Sequence, residues 1–514
     1  MSKESEYNTN SWLSCLPTMT AAFMFVLDAT IANVALPHMA GSFSVSRDES
    51  MWILTSYLIS SGIVIPMVDW FSKAMGRKTF FIASIIMFTI ASALCGMAQT
   101  MGQMVAFRIL QGFGGGGILP ISQAILLENF KPSERGKAMA MFGMIIVLAP
   151  ILGPVIGGWI TDNWTWPYIY YINIPIGILA WFLTDMFIFD PDYAKKQENI
   201  KHDFLGFLFL SAWLISLQVV LDKGNNADWF NAPWVCWLSL FSVISAVLFL
   251  ISQIKNKDSL VDLSVFKDKN YLVGTMVQIV MQAVLLASVA ILPQFLQSLM
   301  GYDAYKSGLS MMPRGLGALT ATISYGSFAN KFDGRVVVAI GLSCIATGCM
   351  MLGNLNLQIS TMSIMFPNFL FGLGLGLAMI PIITLSMATL RNDQMTNATG
   401  LQNLLKNIGG AFGTSIVATL ITRGAQKHQF MLIQHLTETS TNYLERVQTY
   451  TIAFITNYDP ITASYMAKGV VNRLLLQQAT LCAFIDAFRI FAIAAVSIIP
   501  LLLLLKNIKK ENNG

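Results

Sequence analysis

Fourteen apolar stretches, each near the length that crosses a bilayer, constrain the fold of this 514-residue chain more than any other feature. A spanning helix needs roughly 20 apolar residues, and its backbone polar groups pair within the helix because lipid offers them nothing. Windows of about 19 residues place the stretches at 12–37, 50–71, 79–98, 102–127, 137–161, 168–189, 203–222, 233–254, 271–299, 304–329, 336–355, 361–390, 399–422 and 482–505. The expected fold is an all-α polytopic membrane protein with fourteen transmembrane helices. Composition agrees: 55% of residues are apolar and 11% charged, against about 25% charged in soluble domains. The first apolar run is too long for a signal-peptide core and has no small-residue cleavage site behind it, so it is read as a retained helix.

Basic residues set the orientation. With both termini cytoplasmic, the inner segments hold Lys73, Arg77, Lys78, Lys131, Arg135, Lys137, Lys195, Lys196, Lys201, Lys331, Arg335, Lys506, Lys509 and Lys510. The short outer loops hold Arg47, Lys223 and Lys306. That asymmetry follows the positive-inside rule, so the net charge of +5 marks topology and gives no reason to invoke nucleic acid. One connection is long: residues 423–481 lie outside, with Met466, Val470 and Leu474 at four-residue spacing. Loops of that length are usually functional. It is expected to cap the bundle or to dock a partner.

Asp28 is the one charge within the first stretch. A carboxylate at membrane depth costs at least a few kcal/mol and marks a functional site by default. It lies about 13 Å from the outer end of its helix, and Arg108 about 9 Å from the outer end of the fourth, at 1.5 Å per residue. Pairing would lower the cost of burying both and tie the proton affinity of Asp28 to the position of Arg108. Proton coupling requires that dependence; a static pair locking two helices is the alternative.

Two further basic residues lie within spans, Arg314 and Lys406, with Asn33, Gln111, Gln278, Gln282 and Asn403 as further candidates for lining a central substrate cavity. Asp486 and Arg489, three apart on one helix, are expected to neutralise each other. Glu128 and Asp185 are expected to reach interfacial water. The run Gly112-Phe113-Gly114-Gly115-Gly116-Gly117 is followed by Ile118-Leu119-Pro120, without the Lys-Ser/Thr a phosphate loop needs; it reads as tight helix packing. Six cysteines and four histidines show no metal-ligand spacing, and no nucleophile motif appears, so neither an enzyme nor a metal site is expected.

The loop Asp69-Trp70-Phe71-Ser72-Lys73-Ala74-Met75-Gly76-Arg77-Lys78 pairs with Gly326-Ser327-Phe328-Ala329-Asn330-Lys331-Phe332-Asp333-Gly334-Arg335: both have Phe third, a small residue fourth and a basic residue tenth. Helices 1–6 and 9–14 then form equivalent halves, as in one major transporter architecture. The domains are 1–189, an inserted hairpin 190–260, and 261–514.

At this level the chain resembles the major facilitator superfamily, within it the fourteen-helix drug:proton antiporters of EmrB/QacA type. The resemblance rests on Leu27-Asp28-Ala29-Thr30-Ile31-Ala32-Asn33-Val34-Ala35-Leu36-Pro37, Arg108-Ile109-Leu110-Gln111-Gly112, Asn173-Ile174-Pro175-Ile176-Gly177, Met312-Pro313-Arg314-Gly315 and, most specifically, Ala149-Pro150-Ile151-Leu152-Gly153-Pro154-Val155-Ile156-Gly157-Gly158. The last is similar to the family's antiporter motif; Pro150, Gly153, Pro154, Gly157 and Gly158 suit a bendable helix at the seam between two rocking halves. Departures occur in the gating loops (Lys73, Gly76, Arg77; Gly326, Lys331, Arg335), where Asp69 and Lys73 stand for the usual Gly and Asp, and Asn330 for the second acidic residue.

The resemblance implies proton-coupled efflux of amphipathic, drug-like compounds by alternating access, with no cofactor beyond the proton gradient. It also implies a bacterial inner-membrane location, an EmrA-like periplasmic adaptor and a TolC-like outer-membrane channel. A dedicated exporter of one metabolite, siderophore or lipid is the alternative on the same fold.

Overall fold

The computed structural model describes residues 12–130, 132–191, 194–196, 203–256, 260–302, 304–328, 332–437 and 440–506. Long helices dominate, and no strand occurs among the described residues. In chain order they are α1 (Cys15–Phe43), α2 (Trp52–Met75), α3 (Arg77–Gly96), α4 (Met101–Asn129), α5 (Pro132–Asn163), α6 (Tyr168–Phe187) and α7 (Phe204–Lys223). Then follow α8 (Pro233–Lys255), α9 (Lys269–Ser298), α10 (Ala304–Phe328), α11 (Gly334–Leu352), α12 (Thr361–Met387), α13 (Met395–Ile433) and α14 (Pro460–Ser497).

Polar residues at the ends explain where several helices start. Thr100, Asp203, Asp268, Asp333 and Asp459 each accept a hydrogen bond from a backbone N–H in the first turn of α4, α7, α9, α11 and α14, a cap worth about 1 kcal/mol. The α2–α3 turn needs Gly76, whose φ of +86° few other residues adopt.

Thirteen helices are long and apolar enough to cross a membrane among the described residues. The exception is α10, whose Lys306, Arg314, hydroxyl and glycine side chains lower its hydropathy. It packs between α12 and α5 all the same and completes the set of fourteen.

Two boundaries differ from the sequence expectation. Pro37 lies inside α1, which continues to Phe43. The segment 423–481 is mostly helical: α13 runs to Ile433, a separate helix spans Thr441–Ile455, and α14 starts at Pro460. The stripe that α14 buries there is Ala463, Ala467, Val471 and Leu475; Met466, Val470 and Leu474 are only half-buried beside it. Thr441–Ile455 packs on α14, so the segment is a helical projection.

In the first half, α1 packs on α5 and α6, and α4 on α2 and α3; in the second, α12 packs on α10 and α11, and α13 on α9 and α14. Large apolar side chains such as Trp237, Ile254 and Ile493 stay exposed, as expected of surfaces facing lipid. The halves meet on the side that carries the chain termini. One apolar core there joins Ile65, Leu126, Phe130 and Phe142 to Tyr325, Ile380, Met387 and Leu404. Thr399 donates to the Pro120 carbonyl at 3.1 Å and Asn403 Nδ2 to Gln123 Oε1 at 2.8 Å. Toward the other side, the hairpin α7–α8 touches both halves: Thr55 Oγ1 donates to Asp222 at 2.8 Å, and Trp229 Nε1 to Thr419 at 3.0 Å.

Candidate functional site

Asp28 is fully buried on α1 and accepts three side-chain hydrogen bonds. Arg108 Nη1 on α4 donates to Oδ2 at 2.7 Å; Gln111 Nε2 donates to Oδ1 at 2.9 Å and Asn173 Nδ2 on α6 at 2.8 Å. Arg108 is held on its other edges, donating from Nε to the Ile53 carbonyl at 3.1 Å and from Nη1 to Gln111 Oε1 at 2.7 Å. Its guanidinium carbon lies 4.4 Å from the ring centroid of Tyr57 and 5.4 Å from that of Tyr170. Asn173 also donates to Ser92 Oγ at 3.0 Å, which donates to the Tyr170 carbonyl.

Five helices thus contribute to one network: α4 and α6 bind the carboxylate of α1, and α2 and α3 hold their side chains. The spacing Arg108–Gln111 puts both side chains on one face of α4, and Gly112 allows the approach to α2, because a Cβ there would lie 1.9 Å from Ser60 Oγ. A charged pair this deep is tolerable only when its remaining hydrogen-bonding groups are matched. Arg108 Nη2 and Asn173 Oδ1 have no partner among the described residues.

The helix 5 motif lies beside this site, but not where a seam between halves requires. A Cβ on Gly153 would stand 2.3 Å from Thr30 Oγ1, and one on Gly157 2.8 Å from Ile31 Cγ1. Both glycines hold α5 against α1, in the same half, two and three residues from Asp28. The contact of α5 with the second half falls nearer the terminal side, where a Cβ on Gly143 would meet Ile380 at 2.9 Å and Ala140 lies 3.6 Å from a Cβ on Gly326. Gly158 has nothing within 4 Å, and Pro150 is exposed. Pro154 occupies α5, with its side chain outside the described residues.

The candidate cavity residues separate. Gln111 belongs to the Asp28 network. Asn33 is exposed and donates back to the Ala29 carbonyl. Asn403 joins the halves through Gln123. Gln278 is buried with neither amide atom bonded among the described residues, and Gln282 is half-buried against α13 near Gly410. Arg314 is buried in the second half on neutral partners: Nε and Nη2 donate to Asn368 Oδ1 at 3.1 and 2.8 Å, and Nη1 to Ser288 Oγ at 3.1 Å. Its guanidinium carbon is 4.3 Å from the Phe371 ring centroid. Lys406 is buried, with no hydrogen bond or ion pair among the described residues. It follows Thr399 and Asn403 on α13 at helical spacing, one turn beyond the contacts that join the halves. Among the described residues the first half pairs its central cation with a carboxylate; the second does not.

In the loops, Lys73 pairs with Asp69 at 2.6 Å, and Arg77 with Glu128 and, at 3.9 Å, Asp190. Glu128 is therefore buried against Arg77, not in interfacial water, because Gly76 turns α3 back toward the end of α4. Burial pushes the Asp190 carboxyl up, against the Lys78 N–H that it accepts and the charge of Arg77. Asp185 does reach solvent, paired with Lys78. Arg335 pairs with Asp333 at 3.0 Å and donates to the Leu505 carbonyl; Lys331 lies outside the described residues. Asp486 does not pair with Arg489: it meets His428 Nε2 of α13 at 2.8 Å, and Arg489 donates to Asn354.

A helical bundle in two halves that meet on the terminal side, with a buried ionisable pair inside the first half, defines a multi-pass membrane transporter. The chain belongs to the Major Facilitator Superfamily, which it matches over residues 18–414. It is 31% identical to the fatty acid resistance protein FarB of Neisseria gonorrhoeae, over 95% of this chain and 94% of that one. It is also 31% identical to the multidrug export protein EmrB of Escherichia coli K12, over 82% of each. The human organic anion transporter MFSD10 superposes with a TM-score of 0.65 at 12% identity, over 96% of this chain and 99% of the other, and supports the fold alone.

Proposed function

We propose that this protein exports amphipathic toxic compounds in exchange for protons by alternating access. The observation that carries this reading is the Asp28–Arg108 pair: a carboxylate inside a membrane helix, held directly by side chains of α4 and α6, with α2 and α3 supporting those side chains in turn. Inward proton flow supplies about 2.3 kcal/mol per charge per 100 mV before any pH gradient. With both termini in the cytoplasm of a bacterial inner membrane, the closed side faces the cytoplasm and this conformation faces outward. That is the state from which substrate leaves. By analogy with EmrB, an EmrA-like adaptor and a TolC-like channel receive the substrate. Proton-gradient-dependent drug uptake into inverted vesicles tests the reading; accumulation that ignores a protonophore sinks it.

A second reading on the same mechanism follows from Lys406 and Arg314. Buried cations without carboxylates suit an anionic amphiphile, and the relative FarB is named for fatty acid resistance. A carboxylate-bearing substrate would meet Lys406 first.

A further inference from the structure

Away from the central site, α13 and α14 enclose a cavity of about 430 Å³ on the non-terminal side, lined by Arg423, Gly424 and Lys427 of α13 and by Asp486, Arg489 and Ile490 of α14. Its charge is unbalanced. Arg423 is paired with Asp228 of the hairpin, and Asp486 is hydrogen-bonded to His428, leaving Lys427 and Arg489 against one carboxylate. Arg489 donates to a neutral amide, Asn354 Oδ1, at 3.1 Å. Lys427 has no partner among the described residues, and neither Lys427 nor Arg489 has a carboxylate within ion-pair distance among them. Two cations so placed oppose the charge asymmetry that orients the rest of the chain.

Beyond the cavity, the flanking faces of both helices are apolar. Phe412 and Ile416 precede Leu420 and Arg423 on one face of α13; Ile493 and Val496 follow Ile490 on one face of α14. All four are large, apolar and uncovered. The site is thus cationic at the membrane boundary and apolar toward the bilayer interior.

We infer that this cavity binds an anionic phospholipid, its phosphate between Lys427 and Arg489 and an acyl chain along the strip Phe412, Ile416, Ile493 and Val496. Lysine and arginine suit a phosphate through charge-assisted hydrogen bonds. The adjoining apolar strip favours a lipid over a soluble anion, and a lipid seated there would join α13 to α14 at the base of the helical projection.

The test is native mass spectrometry of the full-length protein in uncharged detergent, titrated with dioleoyl-phosphatidylglycerol, dioleoyl-phosphatidylcholine and glycerol phosphate in turn. Phosphatidylglycerol should bind at the lowest concentration. The pair Lys427→Gln with Arg489→Gln should weaken it about ten-fold, on the order of one lost charge-assisted contact. Both residues are exposed, so the variant should run as a monodisperse peak; Lys427→Gln alone should shift binding the same way and Lys427→Arg should retain it. Equal binding of the two lipids, unchanged binding in the double variant, or displacement by glycerol phosphate at matching concentration would each overturn the lipid assignment.

Discussion

Asp28 on α1 and Arg108 on α4 meet at 2.7 Å with neither side chain open to solvent. Every partner of Asp28 is a donor, Arg108 on one carboxylate oxygen and Asn173 and Gln111 on the other, so an asparagine there would turn its own N–H toward a donor and leave Arg108 without its counter-charge. Asp28→Asn should therefore abolish drug-driven proton exchange in proteoliposomes. It should also lower thermal stability, since leaving one partner of a buried pair alone costs roughly 3–5 kcal/mol. Adding Arg108→Gln should restore stability without restoring exchange. Proton exchange at the native rate in Asp28→Asn removes the coupling assignment.

The close approach of α5 to α1 gives a compensation test. Gly153→Ala places a methyl 2.3 Å from Thr30 Oγ1, and overpacking of this kind costs about 1–3 kcal/mol. Transport should fall at normal membrane levels, and Thr30→Ala should recover much of it by removing the atom in the way. Gly158→Ala, which meets nothing within 4 Å, should be silent. If Gly158→Ala is as damaging as Gly153→Ala, packing on α1 does not explain the motif.

The closed end is a third target. Gln123 and Asn403 touch across the halves at 2.8 Å, so cysteines at both positions should be bridged by a short bis-methanethiosulfonate reagent, whose disulfides reductant can break. The cross-link should stop transport, and reductant should restore it. Unimpaired transport by the cross-linked protein would show that this contact need not open.

What the sequence made legible was local or periodic. Hydropathy marked the helices because every residue of a span contributes to it, and Asp28 and Arg108 were readable because a charge inside such a span needs a reason. Partners from other helices were not. Tyr57 looks like any aromatic in an apolar run, and Asn173, though part of a recognisable motif, shows no sign that it faces Asp28. Glu128 looked interfacial because nothing local reveals that Gly76 folds Arg77 onto it. The helix 5 glycines announced a close approach but not the helix approached, which is a matter of tertiary arrangement. The α13–α14 connection read as loop because its helices are half polar, held by one another and not by a membrane.

Lys406 offers a test of substrate charge. It is buried and lacks a carboxylate among the described residues, so replacing it with Met keeps the bulk and removes the charge. Lys406→Met should raise the KM for a fatty acid or other carboxylate-bearing amphiphile by about ten-fold or more, the scale of one lost charge-assisted contact. A cationic dye should be transported as before or better. Equal loss for both would make Lys406 a helix tether, and no loss for either would place it outside the substrate path.

The helical projection tests the partner. Phe430, Ile433, Ile452, Ile455, Ile461 and Tyr465 are exposed there, well beyond the stretch that hydropathy assigned to the bilayer. On the proposed function, an adaptor would dock on this exposed apolar surface. Replacing 434–459 with a short Gly/Ser link removes the helix Thr441–Ile455 and leaves α13 and α14 intact in the membrane. Drug transport in proteoliposomes should persist, because the Asp28 network and the terminal-side closure lie far from the deletion. Resistance of whole cells should drop toward that of cells without the pump, and recovery of a co-expressed adaptor by cross-linking should drop with it. Loss of transport in proteoliposomes would instead make the projection part of the transport machinery. Full resistance with full adaptor recovery would leave it a cap, and the adaptor would have to dock elsewhere.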